Sequence, residues 1–389
     1  MAIPKNQDEF IEELLNPIDD IMSEVDTKVL TIITERIRNI GKMSASDAQR
    51  LSIIARNKDL AEIEKIISDA TDLSIKQVNS IVEESAKNND DLASYLYKAR
   101  NMPPSNFKTD LSLLNAVEVA KKSIVNDIVK LSGTTVMKMN GSDISIEKAY
   151  NYAVNRAAFE VQQGVFDFNT AIRSTIKELS DSGVRTVDYA SGCSRNLYSA
   201  VRMNVADSIR TLNANYREAQ ASQYGADKVF VSWHYLCASD HIHINGEEYA
   251  TEEWKSVSAG LKRQVGEMNC HHYLTYGIDG ISENPISEEM RQSAIDNSNK
   301  QVEYSTLQKD KDGNFIKKSV SKYDFSQVQR SVENDIRKLK VYQNQLDVLG
   351  DKTGSALVQK KISDKTKYYK SISKQGGLSP KMEKIRIVK

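Results

Sequence analysis

The stretch IDDIMSEVDTKVLTIITERIRNI places Ile18, Ile21, Val25, Val29, Ile32, Ile33 and Ile37 at steps of three, four and one. A helix winds all seven onto one broad apolar stripe, whereas a strand would divide them between two faces. The same spacing recurs along much of the chain. SASDAQRLSIIARN and DLSIKQVNSIVEESAKN each set Ser or Asp before an apolar-periodic run, as helix N-caps do. LSLLNAVEVAKKSIVNDIVKLSG resumes the pattern after RNMPPSNFKTD, whose Pro-Pro pair predicts a hinge. With six prolines and seventeen glycines in 389 residues, little interrupts such helices.

A few segments break the helical rule. TTVMKMNGSDISI reads as a short hairpin turning at Asn140-Gly141. Two long helices follow, SIEKAYNYAVNRAAFEVQQGVFDFNTAIRSTIKELSDSG and NLYSAVRMNVADSIRTLNANYREAQASQYG, separated by VRTVDYASG, the second closing on Gly225 as a C′ glycine. KVFVSWHYL, rich in Val, Phe, Trp and Tyr, reads as a strand. From Glu303 onward the spacing predicts a polar, basic helical region interrupted by KDKDGN and by Gly376-Gly377. The expected fold is mainly α with a small mixed α/β module near the centre of the chain, elongated and multi-domain. Its expected regions are 1–105 (helical), 106–184 (helical with a short hairpin), 185–302 (the mixed module) and 303–389 (a basic helical tail).

Composition narrows the class further. An apolar fraction of 40% with 27% charged residues suits a globular protein that buries a sizeable core. No run approaches eighteen apolar residues, and MAIPKNQDEF lacks a basic segment followed by an apolar one, so the expectation is a cytoplasmic product without signal peptide or membrane span. Three cysteines are too few for a disulfide framework. No phosphate-cradling glycine loop occurs, which argues against a motor. The formal net charge of zero hides an asymmetry: residues 308–389 carry twenty Lys/Arg against nine Asp/Glu. That basic tail could be a solvated helical face, or meet DNA, an acidic partner or the acidic body of the same chain. Its positive charge is too diluted for a dedicated DNA arm, so protein partners are expected, with weak contact to DNA in addition.

All five histidines, His234, His241, His243, His271 and His272, lie between Val231 and Tyr273, together with Cys237 and Cys270. Independent scattering would confine them to so small a fraction of the chain on the order of once in a thousand sequences. The cluster therefore belongs to the chemistry or the architecture of one module.

The run VDYASG, then RMNVADSIRTLNANYREAQASQYGADKVFVSWH, then DHIHINGEEY, then MNCHHYLTYGIDGISE resembles the phage minor capsid protein 2 family, relatives of the Mu F-like head morphogenesis proteins. In that family a Tyr-x-Ser-Gly turn precedes a helix with Arg-Met near its start. A Gly-Ala-Asp strand then ends in Ser-x-His, followed by Arg-Pro-x-His, a glycine and Asn-Cys-Arg-His. On this resemblance His234, His241, Gly246, Asn269, Cys270 and His272 match the family's motif positions, while Ala238-Ser239 stand in place of Arg-Pro and His271 in place of Arg. The resemblance spans roughly residues 150–389, the tail with SVENDIRKLK and GGLSPKMEKIR included. It implies a virion component made late in infection, typically encoded next to the portal protein, that joins the procapsid in few copies. The expected function is accordingly a non-enzymatic phage head protein associated with the portal or procapsid, assembled in the host cytoplasm, with portal, scaffolding or major capsid subunits as partners.

Three chemical readings of the cluster stay open. His234, His241, Cys270 and His272 supply the borderline ligands that structural zinc prefers, with Cys237, His243 and His271 as alternates, although the spacing is not that of a standard finger. Alternatively the histidines cap turns, bond the backbone and pack on Trp233, Tyr235 and Trp254. The third reading is a metal-dependent nuclease or other hydrolase acting on DNA at the head, with Asp240 and His241 as the acid/base pair and Asn245 and His271 or His272 nearby. Gly277 and Gly280 break the helix such a site would need, and Cys270 is unusual for a hard catalytic metal. Nothing marks an oxyanion hole for a Cys-His protease. Elsewhere, Cys193 is expected at a helix start, where the dipole could favour its thiolate, although such a cysteine is more often a small buried residue. Arg195, Arg202 and Arg210 are expected as a stripe facing solvent rather than an acidic partner or phosphates, with Asp207 and Arg210 paired.

Overall fold

The computed structural model describes residues 7–163, 170–188, 192–266 and 270–387, and 66% of it is helical. Four helices come first: α1 (Gln7–Ile40), α2 (Ala45–Ile54), α3 (Arg56–Ala99) and α4 (Leu111–Gly133). A hairpin of β1 (Thr135–Met139) and β2 (Ser142–Ser145) leads to α5 (Ile146–Gln162), α6 (Thr170–Ser182), β3 (Arg185–Asp188), β4 (Cys193–Asn196) and α7 (Leu197–Tyr224). Next come β5 (Lys228–Val231), β6 (Glu248–Ala250), α8 (Thr251–Ala259), β7 (Leu274–Gly277) and α9 (Glu288–Asn299). The last elements are β8 (Gln301–Lys309), β9 (Phe315–Ser321), α10 (Lys322–Leu349), α11 (Lys352–Gln375) and a 3-10 turn at Met382–Ile385. The mainly α class with small sheets is as the sequence predicts.

The chain divides into two compact units, each assembled from distant segments. One comprises Met1–Asn16, Lys76–Asp127 and Met203–Gln327; the other Pro17–Ile75, Ile128–Arg202 and Val328–Lys389.

In the second unit the α1 stripe does what its spacing dictates. Ile18, Val25, Val29, Ile33 and Ile37 are buried, with Met22 and Leu30 between them, while Ile21 and Ile32 sit half-buried at its margins. Ser44 caps α2 through the Asp47 amide. An antiparallel sheet of order β2-β1-β3-β4 packs in this unit. Its hairpin turns at Asn140 (φ 50) and Gly141 (φ 79), the two left-handed residues a tight two-residue turn requires. Asp26 of α1 reaches the sheet, accepting the Val184 amide and the Asn196 side-chain amide, both at 2.7 Å.

In the first unit α3 and α7 face one another through a buried polar network. The Asn213 side-chain oxygen accepts from Ser85 (2.8 Å) and Asn89 (2.6 Å), and Arg217 donates to the Asn89 side-chain oxygen at 2.8 Å. Below it Ala93, Leu96 and Tyr97 pack on Ala221, Tyr224 and Ile278. α7 ends as expected, with Gly225 left-handed (φ 67) and the Ala226 amide bonded back to the Ala221 carbonyl.

Several expectations are corrected. The N-cap expected at the start of DLSIKQVNSIVEESAKN does not form, because α3 runs unbroken through Asp72; neither proline nor glycine stands there to stop it. The helix expected from Ser145 to Gly183 is two, α5 ending at its Gln163 cap and α6 beginning at Thr170. Residues 301–321 form a two-stranded hairpin, not helix. The Asp310 carboxylate accepts the Asp312 and Asn314 amides, Gly313 is left-handed (φ 85), and KDKDGN is thereby a hairpin turn. Cys193 lies exposed on β4, four residues before α7, so it is neither at a helix start nor buried. Arg195 is likewise on β4 and Arg202 pairs with Asp19, so the arginine stripe is absent; Arg210 does pair with Asp207, at 3.0 Å.

Candidate metal centre

The module that holds the histidines is built on a three-stranded antiparallel sheet of order β6-β5-β7. Period-two alternation on β5 buries Val229 and Val231, which pack with Ile244 and Trp254; Tyr249, Val257, Leu261, Val265, Leu274 and Tyr276 fringe them. Among the described residues this cluster holds four fully or nearly buried apolar side chains, a thin core. Polar bonding takes over where it ends. Regular pairing stops at Ser232, whose amide donates to the Tyr273 carbonyl and whose hydroxyl accepts the Tyr273 amide at 3.0 Å.

Beyond Ser232 the chain loops out and returns to β6 through consecutive turns, the His241 amide bonding Ala238 and the Ile244 amide bonding His241. Gly246 closes the loop in a left-handed conformation (φ 77), where a β-carbon would sit 2.9 Å from Ile286. Asn245 ties the loop shut: its side-chain oxygen accepts the His234 amide at 2.8 Å and its side-chain nitrogen donates to the His234 carbonyl at 3.0 Å. The approach to β7 then brings Cys270 and His272 under the same loop.

There the side chains converge. The His241 Nδ1 lies 3.1 Å from Cys270 Sγ, and the His272 Nδ1 lies 3.5 Å from the same sulfur. His241, Cys270 and His272 form a group that could hold a metal ion, their ligand atoms all within 4.8 Å of one another. All three are buried, at 1%, 2% and 5% exposure. The opposite edge of each ring meets an oxygen, Nε2 of His241 at 2.6 Å from the Arg263 carbonyl and Nε2 of His272 at 3.1 Å from Asn245 Oδ1.

Electrostatics follow from that packing. The His241 pKa is raised, first by its bond to Cys270. Burial pushes the Cys270 thiol up, but the His241 bond and backbone amides outweigh it, leaving the pKa below its usual value. Burial drives His272 down to about 2, with the neighbouring histidines adding repulsion, so its ring is neutral. Burial raises Cys237 to about 12, and its thiol donates to the Ala238 carbonyl at 3.3 Å.

The remaining expected residues lie around this group. The His234 Nε2 meets the Ser232 hydroxyl at 3.1 Å and its ring stands edge-on to His272 at 4.7 Å. Cys237 Sγ is 3.6 Å from Nε2 of His272, on the far side of that ring from Cys270. His243 is exposed, His271 half-buried, and Asn269 lies outside the described residues, as do residues 189–191 of the VDYASG turn. Asp240 is engaged by Arg263 at 2.9 Å. The histidine rings pack on each other, His241 on His272 at 5.5 Å as well, while Trp233 pairs with Tyr235 and Trp254 with Tyr249. Nothing in the sequence marks Arg263, which acts through its backbone carbonyl, a group every residue carries. Asn245 is expected beside a catalytic group but instead closes the loop, and its one sequence signal is the Asn-Gly pair before a strand.

No curated protein and no solved structure matches the chain. A family model described as phage minor capsid protein 2 matches residues 7–371, extending over the N-terminal helices as well as the motif region.

Proposed function

The chain belongs to the phage minor capsid protein 2 family, and from that premise we propose that it is a non-enzymatic assembly component of the phage head, associated with the portal or procapsid. Family membership supports a structural role in the head, residence in the virion and interaction with other head components. The finer reading is that portal, scaffolding or major capsid subunits are its partners, reached in the host cytoplasm during assembly, with the basic tail in weak contact with packaged DNA. No helix among the described residues is long and apolar enough to cross a membrane.

In this role the His/Cys group serves architecture. A bound zinc would stiffen a module whose apolar core is thin, and the residues fit it: two imidazoles and a thiolate are ligands zinc prefers. The burial of His241, Asn245 and His272, and the engagement of Asp240 by Arg263, favour this over the nuclease reading, since a DNA phosphate would have to reach those side chains.

The observation that carries the proposal is the family match over residues 7–371. Its test is quantitative mass spectrometry of purified virions and procapsids, together with co-purification of the chain with the portal protein. Few copies per head and capture of the portal are expected. Absence from particles overturns the head role, and DNA cleavage that requires a divalent metal and disappears in His241→Ala overturns the non-enzymatic one.

A further inference from the structure

The two histidines of the metal group present the same nitrogen to the same sulfur. His241 and His272 both turn Nδ1 toward Cys270, at 3.1 and 3.5 Å, and both turn Nε2 toward an oxygen. The Arg263 carbonyl can only accept, so Nε2 of His241 carries a proton. The orientation of the Asn245 amide is set by the His234 backbone, because its nitrogen must face the carbonyl and its oxygen the amide. That oxygen therefore also accepts from His272, placing the proton on Nε2 of that ring too. Both rings are thereby left with Nδ1 as the available lone pair, oriented as histidine ligands are when the second nitrogen donates to a carbonyl or carboxamide.

The spacing agrees. Zinc bonds of about 2.0 Å to nitrogen and about 2.3 Å to sulfur at tetrahedral angles put N and S about 3.5 Å apart. The two observed edges, 3.1 and 3.5 Å, are close to that. Cys237 does not share this geometry: it meets His272 at Nε2, the edge occupied by Asn245, so one metal cannot take Nδ1 of His272 and Cys237 Sγ from those positions. His234 is held at its backbone by Asn245, and its Nε2 is at the Ser232 hydroxyl.

We infer that the protein ligands are Nδ1 of His241, Nδ1 of His272 and Sγ of Cys270, with Asn245 and the Arg263 carbonyl as the positioning groups that select those nitrogens, and with Cys237 and His234 outside the coordination shell. This rests on the zinc reading above. It makes the site one of a single thiolate, the fourth position being left to a donor other than Cys237 and His234, and it assigns Asn245 a double duty: closing the loop at His234 and fixing the ring of His272.

The test uses the full chain, stripped of metal and titrated with Co²⁺ and then Zn²⁺, folding being checked by circular dichroism. Expected are one metal per chain and a sulfur-to-cobalt charge-transfer band of single-thiolate intensity. Cys270→Ser should abolish that band, whereas Cys237→Ser and His234→Ala should bind with unchanged stoichiometry. Asn245→Leu should retain the metal with about 10- to 100-fold weaker affinity. Loss of the band in Cys237→Ser with its retention in Cys270→Ser, or a two-thiolate intensity in the unaltered chain, overturns the ligand assignment and leaves the zinc reading standing. No uptake of Co²⁺ or Zn²⁺ by the folded, unaltered chain overturns both, and the head role is untouched.

Discussion

Arg173 of α6 grips Asp351, 178 residues away, with two guanidinium nitrogens at 2.6 and 2.9 Å, and the same carboxylate caps α11 through the Gly354 amide at 2.8 Å. Asp351 is buried to 2% exposure. One side chain thus ties α6 to the start of a helix distant in sequence. Arg173→Ala should destabilise this unit by about 3 kcal/mol, the usual cost of leaving a buried charge without its partner. Urea unfolding measures it, and Arg173→Lys, which keeps the charge and loses the fork, should recover only part.

The same pair sets a pH dependence. Burial alone would raise the Asp351 carboxyl, but the Arg173 bond and the Gly354 amide override it, and the net pKa lies below 3.8. The folded state therefore holds its proton less tightly than the unfolded chain. The stabilisation is complete above the unfolded value of 3.8 and is lost as pH falls through the folded one. Asp351→Asn should be less stable at neutral pH, with the gap to the parent protein narrowing on acidification below about 4. Thermal melts across pH 2.5–7 follow the gap, and a gap that widens toward acid would contradict the assignment.

Asn213 accepts two buried donors, from Ser85 and Asn89. Asn213→Ala strands both, at about 1–3 kcal/mol for each unsatisfied group. Adding Ser85→Ala should cost less in that background than in the parent protein, and a double-mutant cycle reads the coupling.

Gly246 and Gly280 are both left-handed, at φ 77 and 71, but a β-carbon at Gly246 would meet Ile286 at 2.9 Å and Trp233 at 3.2 Å, while at Gly280 nothing lies within 4 Å. Each alanine substitution carries a backbone cost of about 1 kcal/mol. Gly246→Ala adds a collision and should lower the melting temperature distinctly further than Gly280→Ala. Equal shifts would mean that the loop yields.

Chelation supplies a fifth comparison. Metal removal should lower the melting temperature of the parent protein, by a free energy of roughly 2.7 kcal/mol where free zinc stands at a hundred times its dissociation constant. Cys270→Ser should melt at the same temperature with or without chelator.

Helix identity was legible because it is local. The α1 stripe, the Ser44 cap, the Asn140-Gly141 turn and the Gly225 terminus each depend on residues within a few positions of one another, and each stands where the spacing places it. The failures mark where local rules compete. Asp72 has the chemistry of a cap, yet α3 continues through it. Gln301–Lys309 carries polar residues compatible with a helix, yet it pairs with Phe315–Ser321 because a turn nine residues on makes that partner available.

For the candidate metal group, the crowding of His and Cys side chains into one short module, and the family motif they follow, are written in the order of residues alone. Which of them meet emerges on folding, because a ligand set depends on ring orientation, and orientation depends on groups that composition does not mark. The Arg263 carbonyl and the Asn245 amide turn two imidazoles toward Cys270, while Cys237, only a few residues from His241, ends on the opposite side of the His272 ring.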